Sequence, residues 1–294
     1  MRCAFFSLSA GLISSYLLGQ DMTTEPHFIW AVNDAPPFHI LQGKYQGQGF
    51  CDVLTQQLQD SLSGHHEVMY LPPARIAKLR EQGAPLCFPC MIKRADTLDT
   101  TYSHATLYYE PHQLFTSPDA AAQLQAKHGR PISLTTLLQD PEFSFVRPLG
   151  RQYGEHLQPL LNNYADKDKR HIQLAGEAPT MTMLRLVTAK KLDYSLDYPV
   201  IGRYFELTTR LPLAYLPIAE NRHSAIIGAV GCSNSEWGEK AIGRINEALP
   251  SVLRSAAYLH NLEFWFADAS PEFWHQYQRR VLSQSPEQQI KISN

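Results

Sequence analysis

The chain has 294 residues, 44% of them hydrophobic and 18% charged, with a formal net charge of −2. This composition suits one large or two medium globular domains and excludes a disordered or repeat-built chain. There is no long basic run, which argues against nucleic acid as a partner.

Arg2 carries a single positive charge, and Cys3 to Leu18 is uncharged and mostly apolar or small. Gly19-Gln20-Asp21 ends that run. Residues 1–20 are therefore expected to be a secretory signal peptide, cut near Gly19 or Gln20. The run is short for a membrane span, which needs roughly 20 apolar residues. No later segment is apolar enough to span, so the expected product is an exported, periplasmic protein. Removing Cys3 leaves Cys51, Cys87, Cys90 and Cys232, an even number that an oxidising compartment permits to pair. Four cysteines allow three complete pairings, and all three stay open.

Phe28 to Val32 is an unbroken apolar, aromatic and β-branched run, which suits a buried strand. Asn33-Asp34-Ala35-Pro36-Pro37 stops it, because proline has no N–H for a ladder. Gly43 to Gly49 is a glycine-rich turn. Leu54, Leu58 and Leu62 then mark one face of a helix, which Gly64 ends. Glu67 to Leu71 reads as a strand, Pro72-Pro73 opens a helix ending at Gly83, and Leu86-Cys87-Phe88 begins a third strand. Strand and helix alternating at this spacing predict βαβ units and a mostly parallel sheet. Ala105–Tyr109 and His112–Thr116 read as extended. Composition changes at Ser117-Pro118-Asp119, which marks a domain boundary.

A second α/β pattern follows. Leu134, Leu137 and Leu138 suit a short helix, and Phe143 to Val146 a strand. A turn through Gly154 leads into a helix with Leu157, Leu160, Leu161 and Tyr164 inward. Ile172 to Ala175 is a strand, Met181, Leu184 and Val187 a helix, and Leu192 to Asp197 a strand stopped by Pro199. Leu211 to Ile218 looks extended, Ala225 to Val230 is a buried strand, and Ser233-Asn234-Ser235 offers capping oxygens. Ile242, Ile245, Leu249, Val252 and Ala256 share one face of a long helix. The aromatic Phe264–Trp274 stretch closes the fold, and the polar tail follows from Ser283.

Several short matches in shared order give the chain a family resemblance. Asn33-Asp34-Ala35-Pro36-Pro37-Phe38 is similar to the first-strand loop of the bacterial periplasmic solute-binding proteins of family 3, the amino-acid-binding type. Gly47-Gln48-Gly49-Phe50-Cys51-Asp52-Val53-Leu54 resembles that family's approach to its first helix. The spacing of Arg75, Gly83 and Cys87, the Tyr153-Gly154 turn, Lys191-Leu192-Asp193-Tyr194, and Cys232 to Gly238 resemble further steps of a divergent branch. The resemblance implies a type II periplasmic-binding-protein fold: lobe 1 from 25–115 and 219–285, lobe 2 from 116–218, each a mostly parallel sheet flanked by helices. It also implies a small-molecule ligand held between the lobes, and a monomer serving an ABC-transporter permease or a membrane sensor.

Family members carry Thr-x-x-Arg after the third strand, and the arginine holds a ligand carboxylate. Here the sequence runs Cys90-Met91-Ile92-Lys93-Arg94. Arg94 matches the anchor, while Met91 stands at the threonine position and Ser103 follows late, which weakens the case for an amino-acid ligand. Arginine suits a carboxylate through a planar two-pronged contact. The other candidate ligand contacts are Asp34, Phe38, Arg75, Tyr108, Tyr153 and Asp197. Phe38 and Tyr108 would stack on a ligand or fill the core. Tyr153 sits at a helix amino terminus, where free N–H groups favour an anion. Asp34 and Asp197 would pair with a ligand amine or cap backbone. The expected function is binding of a small polar solute, amino-acid-like or otherwise anionic or zwitterionic, for transport or sensing, with no metal, no cofactor and no chemistry. The alternative is a periplasmic enzyme, either a thiol oxidoreductase using Cys87 and Cys90 or a hydrolase on the same fold.

Overall fold

The computed structural model describes residues 27–94, 97–176 and 178–283. The expected signal peptide lies outside the described residues. Strand β1 (His27–Val32) leads to α1 (Phe50–Ser61), followed by β2 (His65–Tyr70), α2 (Pro73–Glu81), β3 (Cys87–Ile92) and β4 (Thr100–Tyr109). The chain then crosses into a second lobe: β5 (Gln113–Thr116), α3 (Pro118–His128), α4 (Leu134–Gln139), β6 (Phe145–Pro148), α5 (Gly154–Asn163), β7 (His171–Leu174), α6 (Pro179–Thr188), β8 (Tyr194–Asp197), α7 (Pro199–Thr209) and β9 (Ala214–Pro217). It returns through β10 (Ile226–Ser233), α8 (Glu236–Val252), α9 (Ala256–Trp265) and α10 (Pro271–Tyr277).

The two sheets have the orders β2-β1-β3-β10-β4 and β7-β6-β8-β5-β9. This is the expected two-lobe α/β architecture, with each sheet mixed. β1 runs parallel to β2 and β3, and β6 parallel to β7 and β8. One strand in each sheet is reversed: β10 is antiparallel to β3 and β4, and β5 is antiparallel to β8 and β9. Each reversed strand follows directly on a crossing, so it enters its sheet from the end facing the other lobe. Because β5 belongs to the second sheet, the first crossing is Glu110–His112, ahead of the boundary expected near Thr116. The second runs from Ile218 to Ala225.

Lobe 1 buries Trp30 from β1, Leu54 and Leu58 from α1, and Ile245 and Leu249 from α8. Lobe 2 buries Leu137, Phe145, Leu157, Leu161 and Leu196. Two helices, α3 and α7, stand where none was expected. Pro118 and Pro199 are the first residues of these helices. Proline costs little there, since the first-turn N–H has no intrahelical acceptor. Both prolines end an extended segment and begin a helix at once. The long helix expected to reach Ala256 divides, because Ser255 accepts a bond from Tyr258 N and starts α9 afresh.

The cysteines pair as Cys51–Cys90 and Cys87–Cys232. The first joins α1 to β3. The second joins β3 to β10, where Cys232 stands opposite Cys87 in the ladder. Cys87 and Cys90 thus bond to different partners, and neither faces the other as a redox pair would.

Candidate functional site

The loop after β1 is fixed from α1. Asp52, in the first turn of that helix, accepts bonds from Gly49 N and Ile40 N at 3.0 Å each and meets His39 Nδ1 at 2.8 Å. The helix also donates Phe50 N to Pro37 O and Cys51 N to Phe38 O. The approach is so close that a Cβ at Gly49 would lie 2.1 Å from Phe38 O, so only glycine fits. The glycine and the acid of the Gly49-Phe50-Cys51-Asp52 stretch therefore act locally, holding Phe38 and His39 in place.

Above this loop lies a cleft of about 1300 Å³ bounded by both lobes. Asn33, Phe38, His39, Lys93 and Arg94 line the lobe 1 wall, and the Gly150–His156 turn lines the lobe 2 wall. His112, Tyr198 and Asn221 line it where the lobes join. The amino terminus of α5 belongs to the second wall. Its first-turn N–H groups lack intrahelical acceptors and favour negative charge.

The part of the site where the lobes join is aromatic and buried. Tyr198 stacks on His112 at 4.1 Å between ring centroids and packs on Tyr109 at 5.3 Å. Burial, aided by the Arg151 charge, lowers His112 to about 3, so its imidazole is neutral at ordinary pH. Asn221 Nδ2 donates to His112 O at 2.9 Å and ties the two crossing segments together. His39 Nε2, His112 Nε2, Tyr153 Oη and Asn221 Oδ1 are buried without a protein partner.

Arg151 lines the cleft and forms an ion pair with Asp197, whose side chain is fully buried. Asp197 Oδ1 also accepts Tyr198 N at 2.9 Å. Burial raises the Asp197 carboxyl, and Arg151 and the Tyr198 N–H pull it back down. Burial alone would lower Arg151, but Asp197, with Tyr153 and Tyr198, more than offsets it, so the guanidinium stays charged.

Of the residues singled out in the sequence, Phe38, Arg94 and Tyr153 come together on this cleft. Phe38 is half-buried against Phe50 and Tyr109. Arg94 is exposed, and its charge reaches Tyr198 in the other lobe. Tyr153 is 2% exposed and lies 5.4 Å from the His112 ring. The other four do not line it. Asp34 is exposed and accepts Leu41 N at 3.2 Å, which is its capping role. Arg75 is exposed in the first turn of α2. Tyr108 is buried against Phe273, so its aromatic ring is core. Asp197 lies behind Arg151. Sequence reading missed Arg151, His112, Tyr198 and Asn221; among them only Arg151 carried a signal, its place in the turn before Tyr153-Gly154.

No family model matches the chain, and no curated protein matches it. Solved structures do. A histidine kinase sensor domain with similarity to periplasmic binding proteins aligns at TM-score 0.62 and 14% identity, over 82% of this chain and 96% of that one. The substrate-binding protein of an amino acid ABC transporter aligns at TM-score 0.57 and 12% identity, over 82% and 99%. An ancestral amino acid-binding protein, a precursor of cyclohexadienyl dehydratase, aligns at TM-score 0.60 and 14% identity, over 82% and 96%. The fold is therefore the two-lobe fold of the type II periplasmic binding proteins.

Proposed function

We propose that the chain is a divergent solute-binding protein of family 3, taking a small polar solute, amino-acid-like or otherwise anionic or zwitterionic, between its lobes outside the cytoplasm. The cleft carries this reading: about 1300 Å³ walled by both lobes, lined by Lys93 and Arg94 from one and by the amino terminus of α5 from the other. Phe38, Arg94 and Tyr153 are its ligand contacts. A solute touching both walls binds the closed form better than the open one and shifts the balance between them. Two disulfides support an oxidising compartment. Among the described residues no helix is long and apolar enough to cross a membrane. The chain acts as a monomer, delivering its solute to an ABC permease or reporting it to a membrane sensor.

The oxidoreductase reading is disfavoured, because Cys87 and Cys90 are buried in separate disulfides. A thermal-shift screen of amino acids, peptides and organic acids tests the proposal. A ligand at a hundred times its Kd contributes about 2.7 kcal/mol, or roughly 5 °C for a chain of this size. Arg94→Ala is expected to weaken the hit about tenfold or more, as loss of a charged contact does. A hit indifferent to both Arg94→Ala and Tyr153→Phe would place the ligand elsewhere, and a screen without hits would remove the solute-binding reading.

A further inference from the structure

We propose that Arg151 is a specificity residue that closes the cleft to ligand amines, so that the solute is an organic anion without an ammonium group. The inference rests on the cleft being the solute site.

An ammonium is held most strongly by a carboxylate that it can reach. Among the described residues lining the cleft the only acid is Glu155, which is exposed and paired with His156 at 3.3 Å. Asp197 stands at the carboxyl end of β8, where strands of such sheets present ligand-binding groups. Its side chain is 0% exposed, however, and the Arg151 guanidinium lies between it and the cleft: Arg151 lines the space and Asp197 does not. The face that Asp197 would have offered to a cation is presented as a cation.

The guanidinium is not a loose surface group. It is held by Asp197, and it lies 6.0 Å over the Tyr198 ring, which is stacked in turn on His112. Swinging it aside would strip Asp197 of its counter-charge in a buried place, which is far more costly than losing an exposed pair. Among the described residues a ligand ammonium would therefore meet Arg151, Lys93 and Arg94, opposed by the exposed Glu155 alone. A carboxylate meets the same three cations, the amino terminus of α5, and a neutral His112 that adds no charge of either sign.

Arg151 makes the inference testable in both directions. Asp197 Oδ2 is buried without a protein partner. Truncating Arg151 uncovers a carboxylate ready to take an amine. Isothermal titration with three matched pairs reads the effect: succinate with L-aspartate, glutarate with L-glutamate, and 3-phenylpropionate with L-phenylalanine. Each pair differs by one ammonium. In the best-binding pair the des-amino acid is expected to bind about tenfold tighter or more to the wild type. Arg151→Ala is expected to erase or invert that ratio by strengthening the amino acid. Arg151→Lys, which keeps the charge, is expected to retain the preference; circular dichroism of both variants separates misfolding from altered specificity. Should Arg151→Ala fail to fold, Arg151→Gln takes its place. An amino acid that binds the wild type as tightly as its des-amino partner overturns the inference and leaves the solute-binding reading standing. Absence of binding by all six also overturns it, and absence of any hit in the wider screen overturns the reading beneath it.

Discussion

His112 shows how a single side chain ties stability to pH. It is 3% exposed, stacked on Tyr198, and lowered to about 3 by burial first and Arg151 second. The folded protein keeps it neutral, while the unfolded chain takes up a proton below about 6.5. Its contribution is therefore fully present above that pH and is lost as pH falls towards 3, by at most about 1.4 kcal/mol per unit. His171, also lowered by burial, has the same sign. Asp197, raised by burial, works in the opposite sense, so a variant is a better readout than the raw slope. Urea midpoints measured from pH 7 to pH 5 are expected to fall for the wild type and to fall less for His112→Gln. Equal slopes for the two would deny His112 this role. Phe38 and Tyr153 were legible in the sequence because each stands at a break between strand, loop and helix. His112 was not, because its surroundings come from residues far along the chain. Its partner Asn221 lies 109 residues away, and Arg151 is defined by an acid 46 residues away.

At the scale of elements, the second crossing also serves as a cap. Glu220 accepts Leu134 N at 3.0 Å and Thr135 N at 2.9 Å, the first N–H groups of α4. Desolvation pushes the Glu220 carboxyl up, but these bonds outweigh it and the net shift is down. A helix of six residues has little stability of its own, so its orphan donors depend on such partners. Glu220→Ala is expected to cost about 1–2 kcal/mol, seen as a lower denaturation midpoint. A variant with an unchanged midpoint would show that α4 is held by packing alone. Nothing in the sequence around Glu220 points to α4, whose first residue lies 86 positions earlier. Periodicity found α1, α5, α6 and α8, whose apolar faces repeat cleanly. It missed α3, where Leu124 and His128 are the buried residues, because one anchor per turn is too sparse a pattern. It misses α7 for a different reason: Pro199 both stops the strand before it and opens the helix, and the stop alone is visible in the pattern.

At the scale of the molecule, alternating strands and helices made two α/β lobes legible before any contact was known. The reversal of β5 and β10 was not legible, since strand direction depends on which end of a sheet the chain enters. Each crossing delivers its strand from the cleft side, so the reversed strands and the cleft share one cause. The Cys87–Cys232 bond has a consequence of another kind. It spans 145 positions and closes a covalent ring around both crossings and the whole of lobe 2. Both ends of the described chain emerge from lobe 1, outside that ring. In single-molecule pulling from sites near His27 and Ser283, tension passes through the sulfur bridge and bypasses lobe 2. Reduction, which also opens Cys51–Cys90, is expected to release about 620 Å of additional contour length, at roughly 3.5 Å per residue. Identical extensions with and without reductant would show that the bridge is not formed. Lobe 2 is thereby a mechanical bystander, free to unravel while the load is carried past it.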